Sequence, residues 1–214
     1  MRVLITGCSS GIGLDAARRM QTQGWQVVAT CRRPEDIAAR RAEGMECHPL
    51  ELADPDSVAA LTDAVLANGP LDAVVNNAAF ALPGAVEDMP RGALRTIFET
   101  NLFGTHDLTV RLIPHFRARG GGRIVNISSV LGLVGIPWRG PYVATKFALE
   151  GLTDEPAGRD RFELPPAAVS DRILRALTDD RPRPRYFVTR PTWFAAFGRR
   201  TLPTRALDWI ARRS

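Results

Sequence analysis

Short runs of β-branched and aliphatic residues alternate with longer amphipathic stretches through the first 150 or so positions. The runs fall at residues 2–6, 26–31, 45–50, 71–76 and 123–128, each bounded by glycine, proline or polar clusters, and they read as strands. Between the first two, Ile12, Ala16, Ala17 and Met20 share one helical face, and Gly24 is placed to stop that helix. Asp54-Pro55 opens the next clear helix, through Leu66, with Asp as N-cap and Pro at the first helical position. Residues 90–119 predict a long helix that Pro114 should kink or break, and Pro141 begins another. Strands alternating with helices predict βαβ units, hence an α/β fold: a doubly wound parallel sheet of about six strands in a three-layer α/β/α arrangement. After Asp154 the pattern changes. Residues 155–166 carry three prolines and a glycine, 167–177 are helical, 185–189 form a short strand, and 203–213 form a basic helix.

Composition narrows this further. A chain of 214 residues, 45% hydrophobic and 24% charged, is sized for one domain with a core of its own. The division expected is a single domain over 1–190 and a basic amphipathic tail over 191–214. No apolar run reaches 18 residues, and a strand begins directly after Met1, which leaves no room for a signal peptide; a cytoplasmic protein is expected. Cys8, Cys31 and Cys47 show no Cys-x-x-Cys spacing, so free thiols and no metal site are expected. The net charge of +5 is concentrated in the tail: residues 1–154 hold 15 basic and 16 acidic side chains, residues 155–214 hold 13 and 7. Of the 28 basic residues only Lys146 is a lysine.

Thr6-Gly7-Cys8-Ser9-Ser10-Gly11-Ile12-Gly13 stands between the first strand and the first helix. Glycines there allow a tight turn and close backbone approach, while the helix N-terminus offers N–H groups to a dinucleotide pyrophosphate. Gly7, Ser9, Ser10, Gly11, Ile12 and Gly13 are therefore candidate cofactor contacts. The spacing departs from G-x-G-x-x-G, and ordinary turns also collect glycines. The second strand ends in Thr30-Cys31-Arg32-Arg33, with two guanidiniums where a carboxylate would favour NAD(H). NADP(H) is thus favoured over NAD(H), with Arg32 and Arg33 on its 2′-phosphate, unless both arginines are simply solvated.

Tyr142 and Lys146 are four residues apart in a helical stretch, hence one turn apart on one face. A cation beside a phenol favours phenolate, which brings its pKa down from near 10. Tyr142 can then act as a general acid or base.

Taken in order, Thr6-Gly7-x-x-x-Gly11-x-Gly13, Asn76-Asn77-Ala78-Ala79, Asn101, Ser129 and Tyr142-x-x-x-Lys146 resemble the short-chain dehydrogenase/reductase pattern. The resemblance covers residues 1–154 and, more loosely, 185–189, which look like the last strand of that Rossmann-like fold. It implies that Tyr142 passes the proton to or from the substrate oxygen while Lys146 lowers its pKa and holds the nicotinamide ribose. Ser129, rather than adjacent Ser128, would hydrogen-bond the reacting carbonyl or alcohol, and Asn101 would position a water joining Lys146 to a proton relay. Glu51, Leu52, Asn76 and Ala78 join the cofactor contacts. As structural alternatives, Ser129 caps a turn and Asn101 ties a kinked helix to its neighbour. Glu51 and Ala79 are mild departures from the family pattern.

A larger departure follows Asp154. The family continues the Tyr/Lys helix, then adds a strand whose end meets the nicotinamide carboxamide and a loop that covers the substrate. Here Glu155-Pro156-Ala157-Gly158 ends the helix early and one later strand candidate remains, which predicts either a shortened variant with six strands and an open site or a chain lacking an internal segment. Phe80, Leu131, Val134, Ile136, Trp138 and Phe147 flank the motif residues, so the expected substrate is a small hydrophobic ketone, aldehyde or secondary alcohol, unless these side chains are core. In the tail, Leu202, Ala206, Trp209 and Ile210 lie on one side of a basic helix that packs on its own domain or a second subunit, or lies on an anionic membrane surface. A homo-oligomer is expected and nucleic-acid binding is not. The leading expectation is an NADP(H)-dependent oxidoreductase. The alternatives are a catalytically impaired NADP(H)-binding sensor or scaffold, and a membrane-surface or partner-binding protein acting through its tail.

Overall fold

A computed structural model describes residues 1–153, 160–161, 166–179 and 186–187. Five strands, β1 (Arg2–Ile5), β2 (Gln26–Cys31), β3 (Glu46–Pro49), β4 (Ala73–Asn76) and β5 (Arg123–Asn126), form one sheet in the order β3-β2-β1-β4-β5. Every pair is parallel, with Ile5 opposite Ala29 on one side and Val75 on the other. The short run that should be the last strand does not join this sheet: Tyr186–Phe187 pairs in parallel with Asp160–Arg161 as a separate two-stranded sheet. Among the described residues the sheet therefore has five strands, against the six or so expected. Among the described residues nothing pairs with the outer edge of β5, where a further strand would have had to intervene.

The helices are α1 (Gly11–Thr22), α2 (Pro34–Ala42), α3 (Pro55–Ala67), α4 (Arg91–Phe98), α5 (Thr105–Ala118), α6 (Gly140–Thr153) and α7 (Pro166–Thr178). Alternation along buried strands divides the core into two layers. Val3, Ile5, Val27 and Ala29 face Ala16, Ala17 and Met20 of α1, Ile37 of α2, and Ile173 and Leu177 of α7. Leu4, Val28 and Val74 face Val58, Leu61 and Val65 of α3 and Leu108, Leu112 and Phe116 of α5. The result is the three-layer α/β/α Rossmann-like fold.

Helix ends follow the local chemistry. Asp54 caps α3 by accepting from Asp56 N, with Pro55 in the first turn, and Gly24 takes the left-handed conformation (φ +81°) just past α1. The expected single helix over 90–119 is interrupted, but not at Pro114. A π-turn at Glu99–Gly104 separates α4 from α5, and α5 continues through Pro114. Pro114 sits on the exposed face, where the carbonyl its ring leaves without a partner can be hydrated. Among the described residues no helix is long and apolar enough to cross a membrane. Residues 155–158, the tail over 191–214 and the helix expected at 203–213 lie outside the described residues.

Candidate active site

The carboxyl ends of β1, β2, β4 and β5 open into one cleft of about 560 Å³, at the edge where the strand order reverses. Parallel strands all release their chains on this side, which is how segments distant in sequence come to share it.

The first wall is the glycine loop. Gly7 has φ +73°, and a Cβ there would lie 2.9 Å from Ala78 Cα; a Cβ on Gly13 would lie 2.3 Å from Gly7 O. Both positions are closed to larger residues by backbone, with the Asn77 amide also close, at 3.2 Å from the first and 2.5 Å from the second. Gly11 has space around it, and φ +59° is what favours glycine there. The loop is tied on two sides. Cys8 N donates to Thr30 O at 2.8 Å and Gly7 N to Thr30 Oγ1 at 3.3 Å. On the other side, Thr6 Oγ1 accepts from Asn77 N at 3.0 Å and Ala78 N at 2.9 Å, while Asn77 Nδ2 donates to Thr6 O at 2.9 Å and Gly7 O at 3.2 Å. Gly7, Ser9, Ser10, Ile12 and Ala78 line the cleft. Asn76 stands behind it, buried, with Nδ2 donating to Thr109 Oγ1 and Asn126 Oδ1.

Arg32, Arg33, Asp36, Glu51 and Leu52 line the end beyond β2. The two arginines are not equivalent. Arg33 Nε pairs with Asp36 at 2.9 Å and Glu35 at 3.4 Å. The nearest carboxylate to Arg32 is Glu51 at 3.8 Å. Both arginine side chains are largely exposed, 73% and 68%, so it is the looser pairing that leaves Arg32 the more available for an incoming anion. Cys31 also lines this end, its thiol pKa raised by burial; all three cysteines are free.

Tyr142 and Lys146 form the opposite end. Lys146 is 3% exposed. Its ammonium lies 5.7 Å from the centre of the Tyr142 ring, within cation–π range, and donates to Ile127 O at 2.7 Å. Burial lowers its pKa to about 8, with the Glu150 carboxylate pulling the other way. One of its three N–H donors is spent on Ile127, which leaves two for a ribose or a water. Ser129 begins the turn Val130–Gly132, and its Oγ accepts from Leu131 N at 3.2 Å. Accepting there leaves its own O–H to donate. Ser128 is the serine on the cleft wall, and its buried Oγ has no partner among the described residues. Asn101 lies in the π-turn, 1% exposed; it accepts from Phe80 N at 3.0 Å and donates to Phe80 O at 2.8 Å and Thr145 Oγ1 at 3.2 Å. Its carboxamide thus ties the π-turn to the chain after β4 and to α6. Of the apolar candidates, Phe80 lines the cleft, Leu131 is buried, and Ile136, Trp138 and Phe147 are exposed.

Sequence patterns pointed to the loop, the two arginines and the Tyr/Lys pair, and the fold brings these together. Thr30 and Arg40, whose Nη1 donates to Cys8 O, hold the loop and were not singled out, because backbone-directed contacts leave no spacing signal; Ser128 was set second to Ser129. The donor set suits a dinucleotide: N–H groups at a helix start, exposed guanidinium at one end, phenol and ammonium at the other. Among the described residues no three His, Cys, Asp or Glu side chains converge as metal ligands would.

Comparison with known proteins agrees. Residues 1–159 match the family model described as short chain dehydrogenase. The uncharacterized oxidoreductase YbbO of Escherichia coli strain K12 is 35% identical over 249 aligned positions, covering 97% of this chain and 93% of its own. Those 249 positions against 214 residues mean that YbbO carries internal residues this chain lacks. A short-chain dehydrogenase from Streptomyces avermitilis superposes with a TM-score of 0.81 at 30% identity, covering 92% of this chain and 90% of its own. A metagenomic short-chain oxidoreductase solved with NADP gives 0.81 at 27% identity, over 87% and 95%. With its fold and its sequence in agreement, the chain belongs to the short-chain dehydrogenase/reductase family of oxidoreductases.

Proposed function

We propose that the protein is an NADP(H)-dependent oxidoreductase acting on a hydrophobic ketone, aldehyde or secondary alcohol. The observation that carries this reading is the single cleft running from Arg32 past the glycine loop to Tyr142 and Lys146. Gly7, Ser9, Ser10, Gly11, Ile12 and Gly13 would hold the pyrophosphate, Arg32 and Arg33 the 2′-phosphate, Glu51, Leu52 and Ala78 the adenosine and inner ribose side, and Lys146 the nicotinamide ribose, while Asn76, buried behind the wall, would act through Asn126 and Thr109 and not by contact. The metagenomic relative solved with NADP supports the choice of cofactor. When bound, the nicotinamide supplies or accepts the hydride.

The chain's own groups handle the proton. Tyr142 gives its phenolic proton to the substrate oxygen during reduction and takes it back during oxidation. The Lys146 cation favours the phenolate formed in the first case. Ser129, steadied by Leu131 N, is the serine this reading assigns to the same oxygen, with Ser128 on the cleft wall as the alternative donor. Asn101 acts one step back by fixing the π-turn against Phe80 and Thr145. Phe80, Ile136, Trp138 and Phe147 supply apolar surface to the substrate. Exposed Leu94, Phe103 and Val110 on α4, the π-turn and α5 support a homo-oligomer, which light scattering tests through the particle mass.

The experiment is a fluorescence titration with NADPH and NADH, followed by a panel of hydrophobic carbonyls, with Tyr142→Phe as control. Turnover that Tyr142→Phe abolishes is the expected result. Cofactor binding without turnover would favour a sensor role for a chain shorter than YbbO, and failure to bind either nucleotide would overturn the cofactor assignment.

A further inference from the structure

Arg40, near the end of α2, is buried although charged, a placement that carries a desolvation penalty. Its Nη2 pairs with Glu43 at 2.6 Å, and Glu43 also receives both Nε and Nη2 of Arg18 on α1 at 2.9 and 3.0 Å. The tie between α1 and the end of α2 therefore exists without Arg40. What Arg40 adds is its Nη1, which donates to Cys8 O at 3.1 Å and to Ser9 O at 3.4 Å. Both carbonyls belong to the glycine loop. Its buried Nε has no partner among the described residues, so full hydrogen bonding does not explain why a guanidinium occupies this place.

In a trans peptide the C=O of one residue and the N–H of the next point opposite ways. Drawing the Cys8 and Ser9 carbonyls toward Arg40 turns the N–H groups of Ser9 and Ser10 away from α2, and Ser9 and Ser10 are on the cleft wall. Neither N–H has an acceptor among the described residues. Successive N–H groups held in this way form an anion-binding concavity. The loop has glycines at 7, 11 and 13, so without a tether it would lose much conformational freedom on binding.

We propose that Arg40 is a positioning residue of the cofactor site, holding the Cys8 and Ser9 carbonyls so that the Ser9 and Ser10 N–H groups meet the dinucleotide pyrophosphate. The inference rests on the dinucleotide reading given above. Arg40 touches no cofactor atom in this scheme; it acts through the loop, and its removal weakens binding of the pyrophosphate in particular.

The test compares the wild-type chain with Arg40→Met and Arg40→Lys, using three probes: NADPH; ADP, which has a pyrophosphate but no 2′-phosphate; and adenosine 2′-monophosphate, which has the reverse. Arg40→Met is expected to weaken NADPH and ADP about tenfold, the loss of roughly one charge-assisted hydrogen bond, and to leave adenosine 2′-monophosphate within about twofold. In turnover the KM for NADPH rises about as much while kcat at saturating NADPH holds within about twofold. Arg40→Lys, which keeps the charge and can reach one carbonyl, falls between. Amide exchange without nucleotide gives a second readout, faster at Gly7 and Cys8, whose N–H groups are bonded to Thr30, in both variants and unchanged in β1 and β4. It applies through Arg40→Lys even where Arg40→Met fails to fold. Equal losses for ADP and adenosine 2′-monophosphate, or unchanged loop exchange, would overturn the proposal. A wild-type chain that binds neither NADPH nor ADP overturns the dinucleotide reading itself, and the role of Arg40 with it.

Discussion

The Thr6 hydroxyl accepts the backbone N–H of Asn77 at 3.0 Å across 71 residues of sequence, and that of Ala78 at 2.9 Å. Two motifs that look independent along the chain are thus one hydrogen-bonded unit, with the glycine loop on one side and the turn after β4 on the other. Thr6→Val keeps the shape but removes the acceptor of both N–H groups. A loss of about 1–3 kcal/mol in urea denaturation is expected, toward the lower end for two donors that are part-buried on the cleft wall. Thr6→Ser, which retains the oxygen, is expected to stay within about 1 kcal/mol of the wild type.

The two arginines after β2 should separate in a binding experiment. Arg33 is held by Asp36 and Glu35, while Arg32 has only a 3.8 Å approach to Glu51. Arg32→Ala is expected to weaken NADPH about 10- to 100-fold, the range of a hydrogen bond to a charged group, and to leave NADH nearly unchanged. Arg33→Ala should cost NADPH about threefold or less, because its guanidinium is already engaged. Isothermal titration with both nucleotides measures the ratio; equal effects of the two substitutions would contradict the assignment of the 2′-phosphate to Arg32.

Elements whose burial repeats along the chain were legible, and those set by tertiary contact were not. β1, β2 and β4 are continuous apolar runs because both faces of the sheet are covered, and the sequence reads them within about two residues. α2 left little trace, since its buried positions are Ile37 and Arg40 within a charged segment. The π-turn was hidden because apolar spacing runs on from α4 to α5, and Pro114 drew the break to the wrong place. The Tyr142/Lys146 pair was legible from helical spacing. That Ser128 rather than Ser129 is on the cleft wall, and that Arg40 reaches the loop, depends on how β5 and α2 end against their neighbours.

Glycine substitutions should sort by what surrounds each position. A methyl on Gly13 would lie 2.3 Å from Gly7 O and 2.5 Å from Asn77 Nδ2, so Gly13→Ala must push the loop off the turn after β4. Destabilisation of about 1–3 kcal/mol is expected, with NADPH affinity down more than about tenfold as the loop N–H groups lose their placement. Gly92→Ala is the control. It lies in α4 with nothing within 4 Å, and alanine there is expected to stabilise by about 0.5–1 kcal/mol. Thermal melts and NADPH titration of both variants check the contrast.

Lys146 should make folding stability rise with pH. Burial holds its ammonium at about 8 in the folded chain, against the ordinary 10.5. Below pH 8 both folded and unfolded chains carry the proton, and the burial penalty is constant. Between about 8 and 10.5 the unfolded chain keeps a proton that the folded chain has released, so stability increases with pH and levels off above that window. The increment is up to about 3 kcal/mol at 1.36 kcal/mol per unit of pKa difference. Lys146→Met fills similar space and cannot titrate, so the wild type should gain on it steadily from about pH 8 to pH 10 in urea denaturation. Both chains are measured in a Tyr142→Phe background, which removes the one nearby titration that Lys146 itself shifts, so the other groups that titrate in this range are common to both chains and cancel in the difference. A difference that stays flat across the window would mean that the ammonium is better solvated, or better paired, than its contacts with Ile127 and the Tyr142 ring allow.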